Sequence, residues 1–255
     1  MNAGDIATRL DDRLDTATYT DSDASPNGIQ VGPASQPVDH VAFAVDAAVE
    51  TIDRAAEAGA DLLVTHHGII WGGMERVTGT NYRRVAPLVD DDLALYVAHL
   101  PLDGHQSLGN AAGVADLLDL DNRAPFGTMG NEYIGQRGTL TEPQTVFDLA
   151  TSLEGDLDTG GKEVQVLDFG PSTIEDVAIV TGSGVDWLQE AVETDADVLV
   201  TGEGKQQAFH EAREQGIHVI LAGHYATETF GVQSLQSVVS DWGLETTYID
   251  CPTGL

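Results

Sequence analysis

ADLLVT at residues 60–65 returns as ADVLVT at 196–201, one substitution apart in a chain of 255. Each copy is an apolar run the length of a buried strand, and each is flanked by stretches with helical spacing. Around the first, VAFAV (41–45) reads as a strand, 47–59 as a helix closed by Gly59, and DLLVT (61–65) as a strand. A helix follows over 81–92, then strand LALYVA (93–98) and a helix over 107–120. Around the second copy come strand VAIV (177–180), a helix over 185–194, strand DVLVT (197–201), a helix over 205–216, strand HVILA (218–222) and a long helix over 225–243. Strands alternating with helices build parallel sheets, because the crossover helix returns the chain in the same direction. The expected fold class is α/β: two similar interlocked α/β halves with mainly parallel sheets. A short α/β connector joins them, with EYIGQRGTL (132–140) as strand, PQTVFDLATSL (143–153) as helix and KEVQVLDFG (162–170) as strand. This predicts a first half over 1–126, a connector over 127–170 and a second half over 171–255, forming one intertwined unit. TTYID (246–250) is a further strand that, with the first half's strands, could complete one sheet system shared by the two halves, or the halves could stand as separate domains.

Composition excludes several function classes. At 42% hydrophobic residues the chain can bury a large core. No stretch approaches the ~20 apolar residues of a membrane span, and MNAGDIATRLDDRLD lacks the basic start and apolar core of a signal peptide, so the expected location is the cytoplasm. A single cysteine, Cys251, excludes an internal disulfide framework and a thiolate-rich zinc site, leaving imidazole and carboxylate for metal chemistry. Forty-two acidic residues stand against 11 basic ones, a net charge of −31 spread along the chain with no acidic tail. Such self-repulsion is tolerable where salt screens it, which predicts an extremely halophilic host. The same charge argues against nucleic acid as a partner.

In parallel α/β sheets ligands gather beyond the carboxyl ends of strands. His66 and His67 follow DLLVT; His99 and Asp103 follow LALYVA; His224 and Glu228 follow HVILA. Each has an ordinary alternative. Neighbouring side chains on a strand point to opposite faces, although Gly68 allows an unusual dihedral that could bring both rings to one side. His99 could be a hydrogen-bonded histidine, Asp103 a cap, and His224 with Glu228 a pair four apart on one helix face. Together, imidazoles and two carboxylates at equivalent strand ends are the ligand inventory of a two-metal site. TGSG (181–184) could offer backbone N–H groups to a phosphate, but a plain glycine-rich turn is the preferred reading.

These segments carry a resemblance. HVAFAVDAAVETIDRAAEAGADLLVTHHG (40–68), AHLPLDGH (98–105), ADVLVTGEGKQQAFHEA (196–212) and LAGHYATE (221–228), preceded by NGIQVG (27–32), resemble the Nif-three-like family of dinuclear-metal hexameric proteins. Some members of that family carry the name GTP cyclohydrolase one type two homologue. The resemblance implies two interlocked α/β halves, a toroidal homohexamer built as a trimer of dimers, and two divalent metals per subunit, with Zn, Fe and Mn as candidates. Position by position it implies His66, His67, Asp103, His224 and Glu228 as metal ligands. The chain departs from the family pattern at three places: Gly68 where proline is usual, Pro101 in HLPLD where a polar residue is usual, and Glu203 for the aspartate of TGD. It also lacks the large inserted domain of longer members. No departure removes a ligand.

The expected function is a dinuclear divalent-metal-dependent hydrolase acting on a small molecule, with ring-opening hydrolysis of a nucleotide such as GTP as the version the resemblance implies. His99 is a candidate for orienting Asp103 or exchanging protons, and Glu203 or His210 for acid–base work. A second reading, from another class, is a non-catalytic metal-binding or regulatory ring. A third, in which Asp and His serve only a salt-adapted surface, predicts no stoichiometric metal.

Overall fold

The computed structural model describes residues 1–255. Its eleven strands are, in chain order, β1 (Gly28–Val31), β2 (His40–Asp46), β3 (Leu62–His67), β4 (Ala94–Val97), β5 (Leu120–Met129) and β6 (Glu132–Gln144). Then come β7 (Gln165–Leu167), β8 (Ile174–Ile179), β9 (Val198–Thr201), β10 (His218–Leu221) and β11 (Glu245–Tyr248). They form two sheets, so the α/β class read from the repeat holds.

The chain divides into two compact units. The first comprises Met1–Leu102 and Gly231–Cys251, the second Asp103–Phe230 and Pro252–Leu255. The first unit's sheet has the order β1-β4-β3-β2-β11, with β4, β3, β2 and β11 parallel and β1 antiparallel at one edge. Its inner strands are apolar on both faces, as parallel strands covered on each side must be. Ala42, Ile52, Leu63, Leu88, Leu95 and Ile249 pack into one core. The second unit's sheet has the order β5-β6-β8-β9-β10-β7, with β8, β9 and β10 parallel and the rest antiparallel. Its core gathers Leu149, Leu153, Ile174, Ile179, Val200 and Ile220.

These units differ from the 1–126, 127–170, 171–255 partition. Backbone pairing is the reason. β5 closes a hairpin with β6, which draws the chain from Asp103 onward into the second unit, and β11 pairs with β2, which returns the C-terminal helix Thr229–Asp241 and its strand to the first. The segment expected as a connector contributes β6 and β7 to the six-stranded sheet instead.

The repeated motif has a structural meaning in each unit. Asp61 Oδ2 accepts from the backbone N–H groups of Asp39 and His40 at 2.8 and 3.0 Å, tying the start of β2 to β3. Asp197 Oδ2 accepts from Glu175 and Asp176 at the same two distances, tying β8 to β9. The turn that leads into each copy also has a left-handed residue one place before it, Gly59 (φ 71°) and Asp195 (φ 58°). A hydrogen bond to a charged acceptor contributes ~1.5–3 kcal/mol, so Asp197→Ala should lower unfolding free energy by about 2 kcal/mol in a urea titration at high KCl. Asp197→Asn, which keeps an acceptor, should cost less. No helix is long and apolar enough to cross a membrane.

Candidate metal centre

β3 runs two residues further than its apolar core, so His66 and His67 are its last residues rather than loop residues. Their rings nevertheless lie 4.5 Å apart, centroid to centroid. Gly68 does not achieve this by a left-handed backbone. Its missing side chain makes room instead: a Cβ there would stand 2.5 Å from the Gln30 amide, whose Oε1 accepts from Ile69 and Ile70 N–H and pins the turn after the histidines.

His99, at the end of β4, completes a cluster in the first unit, with its ring 5.1 Å from that of His66 and 5.7 Å from that of His67. One ring nitrogen from each lies within 4.8 Å of the others. Each Nδ1 is committed elsewhere. His66 Nδ1–H donates to the Ala98 carbonyl at 3.1 Å, His67 Nδ1–H to Asp46 Oδ1 at 2.9 Å, and His99 Nδ1–H to Asp23 Oδ1 at 2.8 Å. An oxygen that only accepts fixes the ring proton on Nδ1, which places the lone pair on Nε2. Oxygen-anchored imidazoles are the usual outer support of metal sites, since the anchor sets ring orientation and raises ligand basicity.

Asp23 was not legible as a functional residue, yet it is the best-anchored carboxylate in the first unit. Its side chain is 1% exposed. Oδ1 accepts from Ser25 N–H and His99, Oδ2 from Asn27 Nδ2 and Leu100 N–H, at 2.8–3.0 Å. Burial raises its pKa, but the donors from His99, Asn27 and Ser25 outweigh that and hold it below the usual carboxylate range. Asn27 Oδ1 in turn accepts from His99 N–H at 2.7 Å, so the NGIQVG segment holds both backbone and ring of this histidine. His99 is thus oriented by Asp23. Asp103, which it was expected to orient, accepts from Asn110 Nδ2 (2.9 Å) and Thr181 Oγ1 (3.2 Å). Trp71, 46% exposed, stands edge-on to His99 at 4.9 Å and 6.0 Å from His67.

The second unit brings Asp103, His224 and Glu228 together. Glu228 lies within 4.8 Å of both others, measured between candidate ligand atoms. His224 opens a one-turn helix, and its Nε2 is 3.1 Å from Glu228 Oε2, which realises the four-residue spacing. Its Nδ1 is 3.2 Å from Glu203 Oε1, the same oxygen anchor as in the first unit. Burial pushes the imidazole pKa down, but Glu228 and Glu203 override it and push it up to about 9. Glu203 is held below the ordinary carboxylate range, first by the hydroxyl of Ser183, then by His224. An ionised acceptor facing His224 orients that ring. His210 is exposed on the helix Gln206–Gln215, edge-on to its neighbour Phe209, and joins neither cluster. TGSG is no phosphate cradle. Gly182 N–H donates to Thr227 Oγ1 and Gly184 N–H to Thr201 Oγ1, and the loop forms a wall against Glu228.

The remaining histidines are structural: His40 bonds Thr247, His105 accepts from the Ser107 and Leu108 N–H groups, and His218 bonds the Pro171 carbonyl. Among the missed residues, Asp46 did have a signal, since it too ends a strand next to β3. Asp23 had none, because its partner is 76 positions away. Mixed imidazole and carboxylate donors, with the imidazoles and Asp103 each oriented by a second group, fit a first-row divalent cation and suit Zn, Fe and Mn alike.

"GTP cyclohydrolase 1 type 2 homolog" of Halobacterium salinarum is 56% identical over the full length of both chains, and the protein of that name from Archaeoglobus fulgidus is 39% identical over the full length of both. Among solved structures, "protein ybgI, unknown function" matches with a TM-score of 0.91 at 33% identity, and TTHA1606 from Thermus thermophilus with 0.90 at 35%, each covering all of both chains. The family model Duf34/NIF3 (NGG1p interacting factor 3) matches residues 1–253. By whole-length sequence match and by fold, this chain belongs to the Duf34/NIF3 family.

Proposed function

We propose that this protein is a dinuclear divalent-metal-dependent hydrolase of a small molecule, with two ions held by His66, His67, Asp103, His224 and Glu228. The observation that carries the reading is that all three of these imidazoles have Nδ1 facing an oxygen acceptor, an arrangement that ordinary surface histidines do not need. Bound divalent ions would polarise an electrophile and acidify water. The chain's own residues orient the imidazoles (Asp46, Ala98, Glu203), fix Asp103 (Asn110, Thr181) and wall off Glu228 (Gly182).

For the substrate, the first unit offers a cavity of about 510 Å³ bordered by Asp11, Thr20, Asp23, Asn27 and Gly72, a size that suits a small molecule. The relatives' name makes a nucleotide such as GTP the first compound to test. No basic residue lines that cavity to meet a triphosphate, and this favours a second reading, a metal-binding or regulatory ring without turnover. Assembly as a homohexamer is part of the proposal. Exposed Trp71, Val77, Tyr82 and Val89, clustered within one segment of the first unit, supply apolar surface for it. A salt-rich cellular interior is proposed from the −31 charge and the Halobacterium relative.

The test is a metal-loaded screen of nucleotides, phosphoesters and peptides, with Glu228→Gln as comparison. Hydrolysis by the native protein that falls more than ~100-fold in the variant supports the hydrolase. Equal hydrolysis in both removes the metal mechanism. Stoichiometric metal with no turnover selects the ring reading.

Metal binding should also be pH-dependent. In the metal-free protein His224 keeps its proton up to about pH 9, and a cation must displace it. Affinity should therefore rise with pH between 7 and 9 and level above. Titration calorimetry in buffers of different ionisation enthalpy should register close to one proton released per chain from this group at pH 7.5. The same raised pKa stabilises the metal-free fold fully below pH 6.5, and that contribution is lost as pH rises through 9.

A further inference from the structure

We infer that the helix Thr80–Asp90 pairs with the same helix of a second copy of this chain, antiparallel about a two-fold axis close to Ala86. This rests on the assembly part of the proposal above and gives it a contact surface; the metal reading does not enter.

The helix turns one side to the first unit's core through Leu88 and Val85. Its outward side carries a stripe with the spacing i, i+4, i+7: Tyr82 (59% exposed), Ala86 and Val89 (61% exposed). At ~100° per residue these three lie within ~60° of one another, two larger apolar side chains with a small one between them. Charge is distributed unevenly along the same helix. Arg83 and Arg84 stand in its first half and Asp90, Asp91 and Asp92 at its end, with no acid in the first turn and no base in the last. That order opposes the helix macrodipole, which favours acid first and base last. Arg83 donates to Thr80 Oγ1 at 3.2 Å and forms no ion pair within the chain, and neither does Asp90.

An antiparallel two-fold pairing answers both features. Seven residues are nearly two turns, so Arg83 and Asp90 lie ~20° apart on one flank of the stripe and ~10 Å apart along the axis. A two-fold axis between Ala86 and Pro87 sets Arg83 of each copy opposite Asp90 of the other and seats each Tyr82 beside the other copy's Val89, while the small Ala86 lets the helix axes approach to ~8 Å. A chain of charge −31 repels its own copies, and a face whose charges cancel on pairing removes that repulsion where contact is made. Two eleven-residue helices bury less than the ~1,200 Å² of a stable interface, and the loop before the helix adds to the contact. Val77 there is 47% exposed, and Asn81 Nδ2 donates to the Arg76 carbonyl at 3.2 Å, which holds that loop against the first turn.

Charge reversal tests the pairing, because a two-fold contact responds to it symmetrically. At the lowest KCl concentration that keeps the full-length chain folded by circular dichroism, the native protein should sediment as an oligomer. Arg83→Asp and Asp90→Arg each set like charges against each other, and each should weaken self-association at least ~10-fold and shift the mass to half the native value or less. The double variant Arg83→Asp/Asp90→Arg should restore native mass, since both partners of each pair are exchanged. Ala86→Glu, which brings two carboxylates together near the axis, should dissociate the native protein like the single reversals and leave the helical signal unchanged. If Ala86→Glu lowers that signal, the reversal set decides by itself. Native mass in every single variant overturns the inference and leaves this face to a different partner, and a double variant no more associated than the single ones overturns it too. A native chain that sediments as one subunit removes the assembly reading itself, and the inference with it.

Discussion

Gly182→Ala is expected to cost ~10- to 100-fold in metal affinity at the second unit's cluster while leaving both sheets intact. A Cβ on Gly182 would stand 2.1 Å from Glu228 Oε1 and 3.0 Å from His224 Nε2, so the smallest side chain displaces the carboxylate from its place. Glu228 is 3% exposed and has no room to retreat without losing its approach to His224. Backbone strain adds to the clash: Gly182 has φ +59°, where an L residue costs ~1–2 kcal/mol. An internal control separates the site effect from general intolerance. Gly155 lies in the helix Val146–Asp156 with open space where its Cβ would go, and Gly155→Ala should stabilise by up to ~1 kcal/mol with metal binding unchanged. Isothermal titration with Mn²⁺ or Co²⁺ reads the difference. Native affinity in Gly182→Ala would show that Glu228 is not a ligand.

Gly182 also shows where sequence reading stops. TGSG was legible as a glycine-rich turn, but its purpose depends on Glu228, far along the chain, and nothing local announces that a side chain will press against the loop. The parallel strands were legible because they are apolar on both faces and bounded by helices. β5 was not. Half of its residues LDNRAPFGTM are exposed without alternation, and the strand holds a proline and a register irregularity between Asp121 and Ala124, so no period survives to be read. Missing β5 displaced the division between units, since its hairpin with β6 sets where the second unit begins. The proposed ligands were legible because strand ends concentrate chemistry in this architecture. Their anchors were legible only in part: Asp46 shares that position, whereas Asp23 lies in an irregular loop and acquires its role by meeting His99 in three dimensions.

Withdrawing salt should unfold the protein at neutral pH, and this is the largest bulk effect expected of it. With 42 acidic and 11 basic residues, most carboxylates have no lysine or arginine of their own to pair with. The pairs that form are on the surface, Arg54 with Glu50, Arg123 with Asp116 and Lys205 with Asp186, where an ion pair contributes at most ~1 kcal/mol. Two unit charges ~20 Å apart repel by about 0.2 kcal/mol in water, and a net charge of −31 contains several hundred such pairs. Unfolding moves them apart and relieves the repulsion. Salt relieves it without unfolding, because the Debye length falls from ~10 Å at 0.1 M to ~3 Å at 1 M. The melting temperature should rise by about 10 °C or more between 0.1 and 3 M KCl, since a few kcal/mol moves the transition of a domain this size by that much. Protonation tests the cause. As pH falls from 8 toward the isoelectric point near 4.1, carboxylates lose the charge that salt screens, and the slope of melting temperature against KCl should flatten. A melting temperature indifferent to KCl at pH 8 would show that the acidic surface is not a salt adaptation, and an equal slope at the isoelectric point and at pH 8 would assign the salt effect to water structure around apolar surface rather than to charge.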